Sequence, residues 1–257
     1  VSELVGNPGM IEEERKEMSF WDHLEELRWR LIWSLVGIVV GTAICAIYAD
    51  QIMNKFLLAP ALHTHPPLKI QNLKPYGQMM LYMEMIFIAG VVVSIPNTIF
   101  QFWKFVEPAL YPHERKYIGA IVLFSSLFFL LGGAFAYFVA IPSALNFFAG
   151  FGSSSIENII DVQEYFKFIT GIMLACAIVF EMPMLSYFLA KIGILSPKFL
   201  SKYRRHAIIV ILIIAAVITP SPDMATQLIV AIPIYLLYEI SIIVARVARK
   251  KPKMEQT

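Results

Sequence analysis

Cysteine is nearly absent: two residues in 257, Cys45 and Cys176, both inside apolar runs. That pattern argues against a disulfide framework and against a thiolate metal site. Charge is also scarce, at 16% of residues against 58% hydrophobic. A soluble domain needs a more charged surface than this, so a water-facing globular fold is excluded. There is no Walker-type Gly-rich loop ending in Lys-Ser/Thr, so nothing points to a nucleotide-driven enzyme. His63 and His65 stand two apart in a Pro-rich stretch without a neighbouring carboxylate or thiol, a setting for solvated histidines rather than metal ligands. The expectation is no cofactor, no metal, no nucleic-acid partner and no catalytic residue. The first 18 residues contain no apolar h-region, so the first membrane helix is expected to serve as its own address.

What is present is a series of apolar runs near spanning length, which predicts an all-α polytopic membrane protein with six transmembrane helices. The runs are 31–49, 78–103, 117–141, 165–190, 207–219 and 224–238. The first carries Gly37-x-x-x-Gly41, a spacing that lets another helix approach closely. The second is interrupted by Glu84 and by Pro96, which should kink it. The third has Gly132-Gly133 near its middle, and the fourth contains Glu181 and Pro183. The last two runs, at ~1.5 Å per residue, give helices of about 20 Å, short of a ~30 Å hydrocarbon core. They are joined by Pro220-Ser221-Pro222-Asp223 and read as a short hairpin, its second arm interrupted by Pro233 and Glu239. Residues 50–77 and 142–164 read as the two loops on one side, the first opening on a short amphipathic helix through Ile52, Phe56 and Leu57.

The basic residues give this topology a direction. Seventeen of the 21 Lys and Arg fall in the N-terminal part, the 104–116 loop, the 191–206 loop and the C-terminal tail. By the positive-inside rule both termini are cytoplasmic. The chain therefore divides into a cytoplasmic tail (1–18), a six-helix membrane domain (19–245) and a basic cytoplasmic tail (246–257). Glu25, Glu26, Glu107 and Glu114 are exceptions on that positive side, and acids grouped beside membrane entry points suit a cationic partner from the cytosol. Local pairing competes with that reading: Glu26 reaches Arg30 at i,i+4 and Glu25 reaches Arg28 at i,i+3, each contact worth a few tenths of a kcal/mol. An intramembrane carboxylate such as Glu181 is costly and marks a functional position by default; the alternative is a protonated side chain bonded to a neighbouring helix.

These landmarks resemble the TatC family, the receptor subunit of the twin-arginine protein translocase. His23-Leu24-Glu25-Glu26-Leu27-Arg28 is similar to the family's His-Leu-x-Glu-Leu-Arg signature, and Phe105-Val106-Glu107-Pro108-Ala109-Leu110 with Glu114-Arg115 to its first cytoplasmic loop. Phe180-Glu181-x-Pro183, Thr219-Pro220 with Asp223 and Gln227, and Ala231-Ile232-Pro233 with Glu239 follow in order. Thr226 stands where the family has Ser, and Glu25 and Glu107 fall at positions it leaves variable. The resemblance implies a signal-peptide receptor that helps move folded proteins across a membrane with the proton-motive force. It implies that Glu26 and Glu114 contact the paired arginines and that Phe105 is an aromatic contact beside them, with Arg28, Glu25 and Glu107 around the same site. It further implies that Pro60 and Asp223 lie in transport-related loops. Glu181 would face single-span partners of the TatA and TatB types. The implied setting is an oligomeric receptor complex in a bilayer; the lack of a transit-like stretch in the first residues favours a bacterial inner membrane over a thylakoid as the expectation. Two other classes share some features: a secondary transporter with an intramembrane carboxylate, which should show an internal repeat, and a structural scaffold, which needs neither Glu181 nor the acids.

Overall fold

The computed structural model of the chain describes residues 20–109, 118–152, 158–219 and 223–249. Among them, four helices are long and apolar enough to cross a bilayer, and a bent pair makes five. A further apolar helix, Arg204–Ile218, has 15 residues, about 22 Å at the usual rise. This arrangement is compatible with six crossings.

The first span, Phe20–Ile47, is built inside out relative to a soluble helix. Its large apolar residues, Leu24, Leu27, Leu31, Leu35 and Val39, are exposed, as lipid-facing residues are. The face turned to the protein is polar or small: His23, Glu26, Arg30, Ser34, Gly37 and Gly41 are all at least half-buried. Gly41 lies against Gly90 so closely that a Cβ added to it would stand 2.6 Å from the Gly90 carbonyl oxygen. Gly37 packs on Asn97, whose side-chain amide donates to the Trp33 carbonyl at 3.1 Å. The Gly37-x-x-x-Gly41 spacing thus marks a real close approach, to the second span.

That second span is the bent pair Gly77–Val93 and Ile95–Val106, which meet at 53°. Pro96, in the first turn of the second half, has no N–H to continue the ladder, and Ser94 at the joint satisfies its hydroxyl on the Val91 carbonyl at 2.8 Å. The bend aims the second half, with Gln101 and Phe105, back toward the start of the first span.

The third span is longer than its sequence suggested. Pro142 was expected to open a loop, but the helix continues from Ile118 through a π-helical turn at Ala136–Ala140 and on to Gly150, 33 residues in all. Pro142 is accommodated in the first turn after the π segment, where its missing N–H costs nothing. The fourth span, Val162–Phe180 followed by Met182–Lys191, breaks at Glu181, with Pro183 starting the second piece. Its N-terminus is capped by Asp161, which accepts from the Gln163 N–H at 2.9 Å and also from the Leu73 N–H at 3.2 Å.

The last helix, Met224–Arg249, has 26 residues and passes straight through Pro233 and Glu239. It extends past the short run expected of it and four residues into the segment expected to be a tail. Tyr235 and Arg204 hold Glu239 at 3.1 and 2.8 Å, so this carboxylate near the basic end does not interrupt the helix.

At the far end, away from the basic loops, the chain forms the short helices Ala49–Gln51, Ile52–Leu57 and Ala59–Leu62. Two three-residue strands, β1 (Lys69–Gln71) and β2 (Ile159–Asp161), then pair in parallel, a feature too short for the alternation of apolar residues to reveal. The core beneath them centres on Tyr165, 1% exposed, whose hydroxyl donates to the Leu57 carbonyl at 2.8 Å. This ties the far-end cap to the fourth span.

The charge distribution and this connectivity give a topology test. In a chain whose Cys45 and Cys176 are replaced by Ser, Leu73→Cys and Lys198→Cys should react with a membrane-impermeant maleimide from opposite sides, Leu73→Cys from outside intact cells. Labelling of both from one side would overturn the assignment of sides.

Candidate functional site

The start of the first span and the end of the second meet at the basic end of the bundle. His23 stacks on Phe105 with ring centroids 4.3 Å apart and 19° between planes. One turn further along the helix, Glu26 faces the same side, and a turn beyond that Arg30 donates to the Glu26 carboxylate at 3.1 Å. Arg30 also reaches across to Gln101 at 3.4 Å, linking the two spans. His23, Glu26 and Arg30 sit at i, i+3 and i+7, a single helical stripe.

That stripe separates the acids the sequence grouped together. Glu26 is partly buried against the second span, whereas Glu25 and Arg28 are exposed on the other side of the same turn. Glu107 lies at this end too, but its carboxylate is held by Lys104 at 2.9 Å, and Lys104 also sits over the Phe100 ring. His23 therefore meets Phe105, Glu26 lies one turn along the same stripe, and Glu107 at this end is already paired. Glu114 lies outside the described residues.

The remaining expected positions are elsewhere. Pro60 is buried in Ala59–Leu62, at the far end. Asp223 caps the last helix: it accepts from the Thr226 N–H at 2.9 Å, the Thr226 hydroxyl at 2.8 Å and the Ala225 N–H at 3.2 Å. These contacts, the Thr226 N–H foremost, hold its carboxyl below the usual carboxylate range. Thr in place of Ser at 226 supplies the same hydroxyl, so that departure from the family pattern leaves the cap intact. Gln227, one residue on, donates to the Leu212 carbonyl at 2.9 Å and closes the hairpin.

Glu181 stands at the break in the fourth span, half-buried, near Ser125 and Phe129 of the third span. One of its oxygens, Oε1, is buried with no hydrogen-bond partner, and so is the neighbouring Ser126 hydroxyl. Unmet polar atoms at this depth are expensive, which makes the position a place for an incoming hydrogen-bonding group. Beside it lies an apolar cavity of ≈ 220 Å³ lined by Phe129, Gly133, Tyr137, Met173 and Ala177 among others. Among the described residues no cluster of His, Cys, Asp and Glu has metal-binding geometry.

A model of the family described as Sec-independent protein translocase protein (TatC) matches residues 22–233. The chain belongs to the TatC family. It is 36% identical over 238 residues to the Sec-independent protein translocase protein TatC of Aquifex aeolicus, covering 92% of this chain and 98% of that one. Its identity to the TatC of Koribacter versatilis is 38% over 250 residues, covering 96% and 92%. Two crystal structures of the twin arginine translocase receptor TatC, one of them in DDM, align with TM-scores of 0.73 and 0.74 at 36% identity. They cover 88% and 87% of this chain, and 99% of each of theirs. Membership makes this chain a multi-pass membrane component of protein transport, not an enzyme, and its fold is the TatC fold. Sequence reasoning had the signature but left His23, Gln101 and Ser125 without roles. The i, i+3, i+7 spacing of His23, Glu26 and Arg30 was the available signal for the first of these.

Proposed function

We propose that this TatC-family chain is the signal-peptide receptor and core subunit of a twin-arginine translocase, and that Glu26 takes a signal-peptide arginine. The observation that supports the reading is the His23–Phe105 stack, which joins the first span to the end of the second on the same helical stripe as the partly buried Glu26. A carboxylate beside an aromatic face suits a guanidinium, which bonds through its edge and stacks through its plane. In this reading Glu114 is the second acid for the arginine pair, while Glu107 is already paired with Lys104 and Glu25 and Arg28 face away from Glu26. The basic end faces the cytoplasm of a bacterial cell, the membrane is the inner one, and the proton-motive force drives transport. The direct test is binding of a synthetic Arg-Arg signal peptide to the purified protein in detergent, with a Gln-Gln version as control. Equal binding of both would reject the receptor reading.

Glu181 is the docking position for a single-span subunit of the TatA or TatB type, its unpartnered Oε1 awaiting a donor from that helix. Glu181→Ala should leave signal-peptide affinity unchanged and weaken photocrosslinking between the fourth span and such a subunit by roughly fivefold, since intramembrane polar contacts are worth ~1 kcal/mol. Crosslinking at the unsubstituted level would make Glu181 merely structural.

A further inference from the structure

Glu26, the residue read above as a peptide contact, already carries a cation. Arg30 Nη2 donates to Glu26 Oε1 at 3.1 Å, and Nη1 donates to Gln101 Oε1 at 3.4 Å. The pair is neither a solvated surface contact nor a sealed one: the Arg30 side chain is 31% exposed and that of Glu26 19%. The Arg30 Nε is buried with no acceptor. Gln101 is buried, at 8% exposure, so its amide is a fixed polar anchor on the second span. The guanidinium is thus spread over two single contacts, and its pair with the acid engages Oε1, leaving Oε2 outside it.

We propose that Arg30 is a specificity-determining residue: an internal occupant of the Glu26 carboxylate that an incoming cation must displace, and that an arginine displaces better than a lysine. The proposal rests on the reading of Glu26 as a peptide contact.

The exchange is unequal for the two side chains. A guanidinium presents a planar fork that engages both carboxylate oxygens, so an arriving arginine replaces a single-point bond with a two-point one. An ammonium is a compact and strongly hydrated point charge. An arriving lysine replaces one single-point bond with another, and surrenders more hydration in doing so. Without Arg30 only the intrinsic advantage of the two-point contact would separate the two cations. Sharing Glu26 without displacing Arg30 sets two like charges beside each other, which penalises the ligand that cannot compete. Discrimination by a penalty on the wrong partner is a recognised route to specificity. Gln101 gives the displaced Arg30 an acceptor it already uses, so its release from Glu26 does not strand the guanidinium.

The test measures the affinity of two synthetic peptides, identical except for Arg-Arg or Lys-Lys, for the purified protein and three variants. Arg30→Gln removes the occupant but keeps a polar side chain of similar length. It should strengthen Lys-Lys binding by about fivefold and Arg-Arg binding by less, so the Arg/Lys preference falls at least about threefold. Gln101→Leu removes the anchor, makes Arg30 harder to displace, and should weaken both peptides while raising the preference. A merely structural defect would weaken binding in both variants and leave the ratio alone, so the opposite movement of the ratio is the decisive readout. Glu26→Gln separates the two levels of the reading. If it abolishes Arg-Arg binding while Arg30→Gln leaves the ratio unchanged, Arg30 has no such role although Glu26 is the contact. If Glu26→Gln leaves Arg-Arg binding intact, the contact and this inference fall together.

Discussion

Glu26→Gln should lower the affinity for an Arg-Arg signal peptide by about tenfold or more while the protein remains assembled. A hydrogen bond to a charged group is worth about 1.5–3 kcal/mol, and each 1.4 kcal/mol is a factor of ten. Glu26 is partly exposed, which places the loss toward the lower end of that range. Glu114→Gln should weaken binding in the same direction, because a pair of arginines needs more than one acid. The contact with Arg30 makes a different demand, since an i,i+4 pair contributes only a few tenths of a kcal/mol to the helix. Stability in detergent should therefore hardly change in Glu26→Gln. Glu25→Gln is the internal control: adjacent in sequence but exposed on the other side of the helix, it should leave affinity within about twofold, as exposed pairs contribute little. Raising the salt concentration should weaken peptide binding in the unsubstituted protein, because the site is within reach of screening ions. Unchanged affinity in both Glu26→Gln and Glu114→Gln, together with a loss of stability, would move the receptor site elsewhere.

The contrast between Glu25 and Glu26 shows where sequence reading ran out. Hydropathy runs located the helices, and basic residues gave them a direction, because both are sums over many residues. The signature placed Glu26 beside a membrane boundary. It could not say which side of the helix faces the protein, because in lipid the buried face is the more polar one. The stripe of Leu24, Leu27 and Leu31 that looks like a core-facing surface is the exposed one. Pro142 misled for a related reason. Proline usually ends a helix, but here a π-helical turn ahead of it absorbs the mismatch and the third span runs on. The bend at Ser94 was legible because Pro96 follows it by two residues, the spacing of a fresh helix start; Pro183 stands in the same relation to Glu181, but the fourth run was read as one continuous span. The parallel pairing of β1 with β2 joins segments about ninety residues apart in sequence, and such pairing leaves no local signal.

Gly132 and Gly133 carry the same ambiguity to its sharpest form, and substituting each with Ala should move stability in opposite directions. Both lie within the helix Ile118–Phe135, where Ala is intrinsically favoured over Gly by about 0.8–1 kcal/mol in water. At Gly133 nothing opposes that gain. A Cβ built there meets no atom within 4 Å, and the residue lines the apolar cavity. Gly133→Ala should raise the midpoint of thermal unfolding in detergent, or at worst leave it unchanged. At Gly132 the added Cβ would stand 2.8 Å from the Ala177 Cα, the Cys176 carbonyl oxygen and the Phe180 Cβ. Two of those three are backbone atoms of the fourth span, which cannot rotate out of the way as a flexible side chain can. The third and fourth spans must then separate, and overpacking of this kind costs about 1–3 kcal/mol. The strain also falls next to Glu181, because Phe180 is its chain neighbour. Gly132→Ala should therefore lower the melting midpoint and, in a membrane, weaken crosslinking of a single-span subunit at the Glu181 position. Gly90 on the second span makes a third case: its Cβ would lie 2.6 Å from the Thr42 Cα, so Gly90→Ala should destabilise the contact between the first two spans. The measurement is the thermal midpoint of each purified variant by fluorescence-detected size exclusion. Equal shifts for Gly132→Ala and Gly133→Ala would mean that helix propensity, rather than the approach of the fourth span, decides what these positions tolerate.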